Sequence, residues 1–108
     1  MDTFLKGLGV SAGKARGIVR VVKAGEHDDS FNEGEILVTE ITDPTMVLMM
    51  NQASGIICDI GGMTSHPSIL SRELGIPCVV ATKEATVKLK TGQEVEIDGS
   101  TGQVFLVG

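Results

Sequence analysis

The sequence predicts an α/β domain with a mixed β-sheet and a C-terminal β-hairpin. Short β-branched runs alternate with helical segments in the middle of the chain, which is the pattern of an α/β sheet. Two further runs, Glu94–Ile97 and Val104–Val107, flank the turn sequence of residues 98–102 and predict the hairpin. The 108 residues, 42% of them hydrophobic, suit one domain over residues 1–108 with one aliphatic core.

The other predicted strands are short and apolar. Gly17–Lys23 is rich in β-branched residues that partly alternate, and a solvated loop over residues 24–34 follows it. Ile36–Thr39, Gly55–Cys58 and Cys78–Ala81 are apolar runs typical of buried strands.

The predicted helices carry start and stop signals. Asp43 and Pro44 supply an N-cap oxygen and a preset φ for a first helix, which we expect to end at Gly55. A second helix is predicted over Pro67–Leu74, closed by a glycine and a proline, and a short helical turn over Glu84–Lys88. The residues expected on the apolar faces of the first two helices are Met46, Val47, Met49, Met50, Ile69, Leu70 and Leu74.

Composition and charge exclude several classes of function. A net charge of −5 and the absence of a Lys/Arg cluster argue against binding nucleic acid or an anionic membrane surface. The apolar runs are too short to span a bilayer and the N-terminus lacks the regions of a signal peptide, so we expect a cytoplasmic protein. Cys58 and Cys78 form no CxxC motif and are predicted to be buried, reduced thiols.

The segment from Gly55 to Pro77 contains the residues that indicate a reactive site. A buried strand leads into Gly61–Gly62, where the backbone can turn sharply, and His66 then lies at the start of a helix with Thr64 or Ser65 as its N-cap. The positive end of the helix favours a bound anion and a neutral, nucleophilic imidazole. On residue type alone, a single histidine at a helix start is more often a surface or capping residue.

The neighbours of His66 favour the functional interpretation. The run from Gly61 to His66, followed by Ile69–Pro77, resembles the signature of the swivelling phosphohistidine domain, the mobile domain of phosphoenolpyruvate-utilising enzymes such as pyruvate phosphate dikinase, phosphoenolpyruvate synthase and enzyme I of the sugar phosphotransferase system. Further segments extend the resemblance over nearly the whole chain: Gly9–Val22, Gly34–Val38, Thr42–Pro44, Gly92–Val95 and Asp98–Gly99. The departures are Pro67 and Ser68 in place of small residues, and Ala81–Thr82 in place of a common glycine.

The resemblance implies a compact swivelling β/β/α fold and a role for each matching residue. His66 corresponds to the phosphorylated histidine, Thr64 to the hydroxyl beside it and Gly61–Gly62 to the turn that exposes it. From their position next to the histidine, the hydroxyl of Thr64 or of Ser65 is expected to bond one ring nitrogen or the phosphoryl oxygens. Arg72 is expected either to contact phosphate or to pair with a neighbouring acid such as Glu73. Asp59 is expected to cap or brace the glycine turn.

The resemblance also implies a phosphoryl carrier that is one domain or subunit of a phosphotransferase and not a complete enzyme. We expect it to bind no cofactor or metal itself, and expect nucleotide, phosphoenolpyruvate and Mg²⁺ to be held by partner domains or subunits. A non-catalytic regulatory or interaction module of the same fold, as some pyruvate kinases carry, is the alternative. An unrelated small-ligand-binding domain is the third hypothesis.

Other motifs give weaker signals. Gly7–Ala12 satisfies a loose dinucleotide-binding pattern, but too few residues precede it to form the strand that such a loop must follow. Gly13–Ala15 lacks the glycine spacing and the hydroxyl of a phosphate-binding loop. The histidines and cysteines have no zinc-ligand spacing, and adjacent Ser65 and His66 are poorly placed for a hydrolytic triad with Asp59.

Overall fold

One mixed β-sheet and three short α-helices form the structure, a computed structural model that describes residues 2–107. The strands within these residues are β1 (Leu5–Lys6), β2 (Leu8–Ser11), β3 (Lys14–Val21), β4 (Ile36–Thr39), β5 (Gly55–Cys58), β6 (Cys78–Val80), β7 (Glu94–Asp98) and β8 (Gln103–Leu106). The helices are α1 (Val47–Gln52), preceded by the 3₁₀ turn Pro44–Met46, α2 (His66–Leu74) and α3 (Ala85–Lys88). The predicted α/β class, the mixed sheet and the hairpin β7–β8 are confirmed.

The sheet has the order β1-β8-β7-β3-β4-β5-β6-β2 and is nearly closed into a barrel. Strands β3, β4, β5 and β6 run parallel, and the remaining pairs are antiparallel. The two edge strands, β1 and β2, are consecutive in the chain and joined by Gly7. A Cβ at Gly7 would lie 2.2 Å from the carbonyl oxygen of Val80, so only glycine allows the chain to cross between the edges at this point.

Apolar residues cover both faces of the parallel strands. Along β4, Leu37 packs into the cluster on the side of α1 and α2, while Ile36 and Val38 pack into the cluster that includes residues of β7 and α3. Every residue of β4 and β5 is buried, as expected for parallel strands covered on both faces. None of the described helices is long and apolar enough to cross a membrane.

The two cysteines lie in the core on neighbouring strands. Both are buried and free, as predicted from the sequence. Burial raises the pKa of Cys78 to about 11 and raises that of Cys58 well above its ordinary value. Both groups are therefore neutral thiols at physiological pH.

Several predicted boundaries are wrong for identifiable reasons. The short strands β1 and β2 were not predicted, because pairing with β8 and β6 defines them and their own apolar pattern does not. The first long strand covers Lys14–Val21 and not Gly17–Lys23, since its polar start pairs with β7. Gly55 does not end the first helix, which stops at Gln52; it begins β5.

Two side chains assigned to apolar helix faces are also more exposed than predicted. Ile69 on α2 is 46% exposed, and Val47 at the start of α1 is half-buried. The predicted methionines Met46, Met49 and Met50 are fully buried. Leu70 and Leu74 pack against the same cluster, so the core-facing stripe of α2 is narrower than the sequence indicated.

The segment after β6 adopts an uncommon backbone conformation. Ala81 and Lys83 have φ angles of 57° and 71°, a left-handed region that disfavours side chains with a Cβ. Thr82 donates to the carbonyl oxygen of Cys58 through both its backbone N–H (3.2 Å) and its hydroxyl (2.9 Å). The backbone N–H of Lys83 donates to the carbonyl oxygen of Asp59 at 2.9 Å. These bonds hold the chain just where β5 ends.

Lys83→Gly tests the strain in this segment. We expect it to raise the free energy of unfolding by about 0.5 kcal/mol, because relief of roughly 1–2 kcal/mol of backbone strain exceeds the added unfolded-state entropy of roughly 0.4–1 kcal/mol. The matched control Lys23→Gly, at an exposed lysine without a positive φ, should lower it by a similar amount. Urea unfolding followed by circular dichroism measures both; equal losses in the two variants would contradict the account.

Candidate functional site

The site lies where β5 leaves the sheet. The pairing of β4 with β5 continues past both strands, because the N–H groups of Asp59 and Ile60 donate to the carbonyl oxygens of Thr39 (3.2 Å) and Glu40 (3.1 Å). The chain then turns at Gly61, which has a φ of 132°. A Cβ at Gly61 would lie 2.9 Å from the Ser65 hydroxyl, so the turn requires glycine for both its conformation and its close packing.

Two serines fix the glycine turn to the first turn of α2. The hydroxyls of Ser65 and Ser68 both donate to the carbonyl oxygen of Gly62, at 2.8 and 2.6 Å. The Ser65 hydroxyl also accepts from the Gly62 N–H at 3.2 Å. Ser65 occupies the predicted N-cap position with extended backbone angles, but its side chain makes no capping bond to the helix N–H groups. It is used instead to hold the turn.

His66 is the first residue of α2 and is half-buried. Its Nδ1 atom shares a hydrogen bond of 2.8 Å with the hydroxyl of Thr42. Within residues 2–107 no protein group bonds to Nε2. The ring is therefore held on one side and open on the other, at the positive end of a helix.

Thr42 is the site residue that the sequence interpretation missed. It is 3% exposed, lies after β4 and is separated from His66 by 24 residues in the chain. From the sequence, the contact to the ring was expected from the adjacent hydroxyl of Thr64 or Ser65. The available signal was the polar pair Thr42 and Asp43 shortly after a buried strand, since residues after neighbouring parallel strands meet at one edge of the sheet.

Asp43 fixes the backbone that follows Thr42. Its carboxylate accepts hydrogen bonds from the hydroxyl of Thr45 and, at 2.8 Å, from the Thr45 N–H. These bonds, with a smaller contribution from nearby His66, hold the pKa of Asp43 below its ordinary value. An aspartate anion therefore stands close to the histidine, and it begins the 3₁₀ turn as predicted.

The remaining candidate residues have different partners from those expected. Arg72 donates from Nε to the carbonyl oxygen of Val10 at 2.6 Å, which ties α2 to β2, and its Nη2 lies 3.8 Å from the sulfur of Met63. It forms no ion pair with Glu73 in the described structure. The carboxylate of Asp59 accepts from the N–H and hydroxyl of Thr86 and so holds α3, not the glycine turn.

Thr64 stands in the exposed loop between the glycine turn and α2. Its hydroxyl has no hydrogen-bond partner in the part of the chain that the structure describes. A cavity of about 400 Å³ lies beyond the ends of β3 and β4 and is lined by Val21, Val22, Lys23, Ala24, Glu40 and Thr86, so it does not include the histidine.

This arrangement has the parts of a nucleophilic site: a histidine with one nitrogen free, a buried hydroxyl that orients the ring, and a helix N-terminus that favours an anion. The family described as PEP-utilising enzyme, mobile domain, matches residues 31–102. The chain belongs to this family, and the resemblance found in the sequence is confirmed.

Within the family the chain is homologous to a domain of phosphoenolpyruvate synthase. It is 54% identical over 104 residues to the phosphoenolpyruvate synthase of Pyrococcus furiosus, a match that covers 96% of the chain and 13% of the relative. The phosphoenolpyruvate synthase of Aquifex aeolicus is 47% identical over 105 residues, covering 94% of the chain and 12% of the relative. The chain thus spans about an eighth of the length of these curated relatives.

Solved structures share the fold. An Enzyme I protein in solution is 32% identical, with a TM-score of 0.62 over 71% of this chain and 32% of that one. The holo-form of aconitase X from Thermococcus kodakaraensis superposes with a TM-score of 0.72 over 96% of this chain and 98% of that one, at 22% identity. The second likeness shows the fold alone.

A double-mutant cycle tests the Thr42–His66 contact. Thr42→Val should lower the free energy of unfolding by about 1 kcal/mol, since it removes a hydrogen bond to a half-buried ring, and Thr42→Ser should retain most of the stability. In combination with His66→Ala the loss should be smaller than the sum of the single losses by about 1 kcal/mol. Urea unfolding followed by circular dichroism gives the free energy of unfolding of the wild type, of each single variant and of the double variant. Strictly additive losses would show that the two side chains do not interact.

Proposed function

We propose that this chain is a phosphoryl carrier in which Nε2 of His66 accepts a phosphoryl group at one active site and passes it to an acceptor at another. The observation that carries the proposal is the hydrogen bond between Nδ1 and Thr42, which leaves Nε2 as the free nitrogen of the ring. Membership of the mobile-domain family supports the same role.

The transfer can be written with each atom in place. Nδ1 carries the ring proton and donates a hydrogen bond to the Thr42 hydroxyl oxygen. The lone pair of Nε2 is therefore available for attack. Nε2 forms a bond to phosphorus while the bond from phosphorus to the leaving oxygen breaks, and the leaving group keeps that electron pair. The second transfer reverses these roles: an acceptor oxygen attacks phosphorus and the electron pair of the nitrogen–phosphorus bond returns to Nε2.

The residues around His66 would support the phosphoryl group in distinct ways. The start of α2 favours the added negative charge by about 0.3–1 kcal/mol, which tunes the site without driving the reaction. The Thr64 hydroxyl is free to donate to a phosphoryl oxygen. Ser65, Gly61 and Gly62 would act through the shape of the turn. Arg72 would act indirectly, by fixing α2 to β2.

Donor and acceptor must be held by other domains. The relatives are about eight times longer than the matched segment, and the family is one of phosphoenolpyruvate-utilising enzymes. We therefore expect phosphoenolpyruvate and a nucleotide, with Mg²⁺, to bind to partner domains or subunits, and the carrier to move between them. The carrier then supplies only the nucleophile, and the other domains supply the rest of the site.

His66→Ala tests the carrier role. The chain is mixed with the Pyrococcus furiosus synthase, from which the segment matching this chain has been deleted, and with either phosphoenolpyruvate or ATP. Intact mass should show one acid-labile phosphoryl adduct on the wild type and none on His66→Ala. His27→Ala is the matched control, because His27 is the other of the two histidines, and it should be phosphorylated normally.

The two donors separate the possible outcomes. An adduct with one donor alone identifies the half-reaction that supplies the group. Absence of any adduct on the wild type with both donors would contradict the carrier role and favour a regulatory module of the same fold. An adduct that persists in His66→Ala would place the phosphoryl group on another residue.

A further inference from the structure

The cavity beyond the ends of β3 and β4 is separate from the histidine. Its volume of about 400 Å³ is within the range of small-molecule sites in proteins. It lies at the carboxyl ends of two parallel strands, which is where ligands bind in parallel sheets. Its lining includes Thr86 of α3, a helix that packs on the face of the sheet opposite to α2. The cavity and His66 thus share one edge of the sheet but involve helices on opposite faces.

Two side chains of opposite charge line this cavity. Lys23 follows β3, Glu40 follows β4, and both are exposed. They form no ion pair with each other or with any other residue within the range 2–107. An ammonium group and a carboxylate that line the same cavity and lack a charged partner can bind a ligand that carries both charges.

The other lining residues offer mainly apolar contacts. Val21, Val22 and Ala24 contribute aliphatic side chains. Thr86 donates both its N–H and its hydroxyl to the carboxylate of Asp59, which leaves its methyl group for contact with a ligand. The two charged side chains are therefore the groups that can fix a polar ligand, and the rest of the lining suits a small apolar group.

Hydrogen bonds connect the cavity to the histidine site. The carbonyl oxygen of Glu40 accepts from the N–H of Ile60, directly before the glycine turn, at 3.1 Å. Glu40 also lies two residues before Thr42, the hydrogen-bond partner of His66. A ligand held between Lys23 and Glu40 would therefore join the loop after β3 to the segment that orients the imidazole.

We propose that the cavity binds a small aliphatic α-amino acid, and that its occupancy is transmitted to the segment that carries Thr42. The carboxylate of the ligand pairs with Lys23, its ammonium group pairs with Glu40, and its side chain contacts the aliphatic lining. An α-amino acid carries both charges close together beside an apolar group, which is the combination that the lining offers. Binding does not depend on the proposed carrier role, since His66 does not line the cavity.

Titration with L-leucine tests the chemistry of the site. The chain, labelled with nitrogen-15, is followed by nuclear magnetic resonance of its amide groups. We expect shifts at Val21, Ala24 and Thr86 with a dissociation constant of about 1 mM, the order expected for a ligand of this size. The analogues 4-methylpentanoate, which lacks the ammonium group, and 3-methylbutylamine, which lacks the carboxylate, should each bind about tenfold more weakly.

Substitutions at exposed positions test the two charged partners. Lys23→Gln and Glu40→Gln should each weaken the binding of L-leucine about tenfold. The matched controls are Lys6→Gln on β1 and Glu33→Gln before β4, which lie outside the cavity and should leave the affinity unchanged. Ala24→Leu should weaken binding without removing a charge, because the larger side chain occupies the cavity. All five positions are exposed, so the variants should fold.

The same titration tests the transmission to the histidine site. The amide of Thr42 and the ring nitrogens of His66 should shift with the same dissociation constant as the signals of the cavity. In Glu40→Gln these shifts should weaken together with binding. Binding that leaves the signals of Thr42 and His66 unchanged would overturn the transmission while retaining the ligand site.

Three results would overturn the cavity as an amino-acid site. One is the absence of binding at L-leucine concentrations about ten times the expected dissociation constant. The second is binding that neither Lys23→Gln nor Glu40→Gln weakens. The third is equal affinity for either analogue that lacks one charge. None of these results bears on the carrier role, which the phosphoryl adduct on His66 tests separately.

Discussion

The parallel pairing of β4 with β5 is the constraint on which the site depends. Its register places Thr39 opposite Cys58, and the pairing continues through Asp59 and Ile60, so the segments that follow both strands leave the sheet side by side. Thr42 on one segment thereby meets His66 on the other, across 24 residues of sequence. Since a slip of one residue would turn every side chain of β4 to the opposite face, the buried surfaces on both sides of the sheet fix the position of a polar contact at its edge.

Much of the fold could be predicted because its signals are local. Buried apolar runs predicted β4, β5 and β6, the Asp43–Pro44 pair predicted a helix start, and the glycine turn predicted a histidine at the start of the next helix. The missed features depend on tertiary pairing. Strands β1 and β2 exist through their partners across the nearly closed sheet, and Thr42 becomes a site residue only through the β4–β5 register. Hydroxyls adjacent in sequence to His66 were favoured as partners of the imidazole for the same reason, because the sequence shows only which residues are near each other in the chain.

The segment after β6 shows how the site and the core are coupled. Ala81 takes a positive φ that glycine tolerates better. The strained segment bonds to the end of β5 through Thr82 and Lys83, while the carboxylate of Asp59 holds α3. Strain at this place is offset by hydrogen bonds to the chain that leads into the glycine turn. A fold does not by itself define a function, and the proposed function requires the turn, the histidine and Thr42.

The position of the phosphoryl group on the ring tests the role of Thr42 and His66 most directly. The phosphorylated chain, labelled with nitrogen-15 in histidine, is studied by nuclear magnetic resonance to identify the nitrogen that couples to phosphorus. We expect phosphorus on Nε2 of His66, with a proton retained on Nδ1 and shared with Thr42. Phosphorus on Nδ1, or on a residue other than His66, would contradict it, because the Thr42 hydroxyl occupies Nδ1 in the structure.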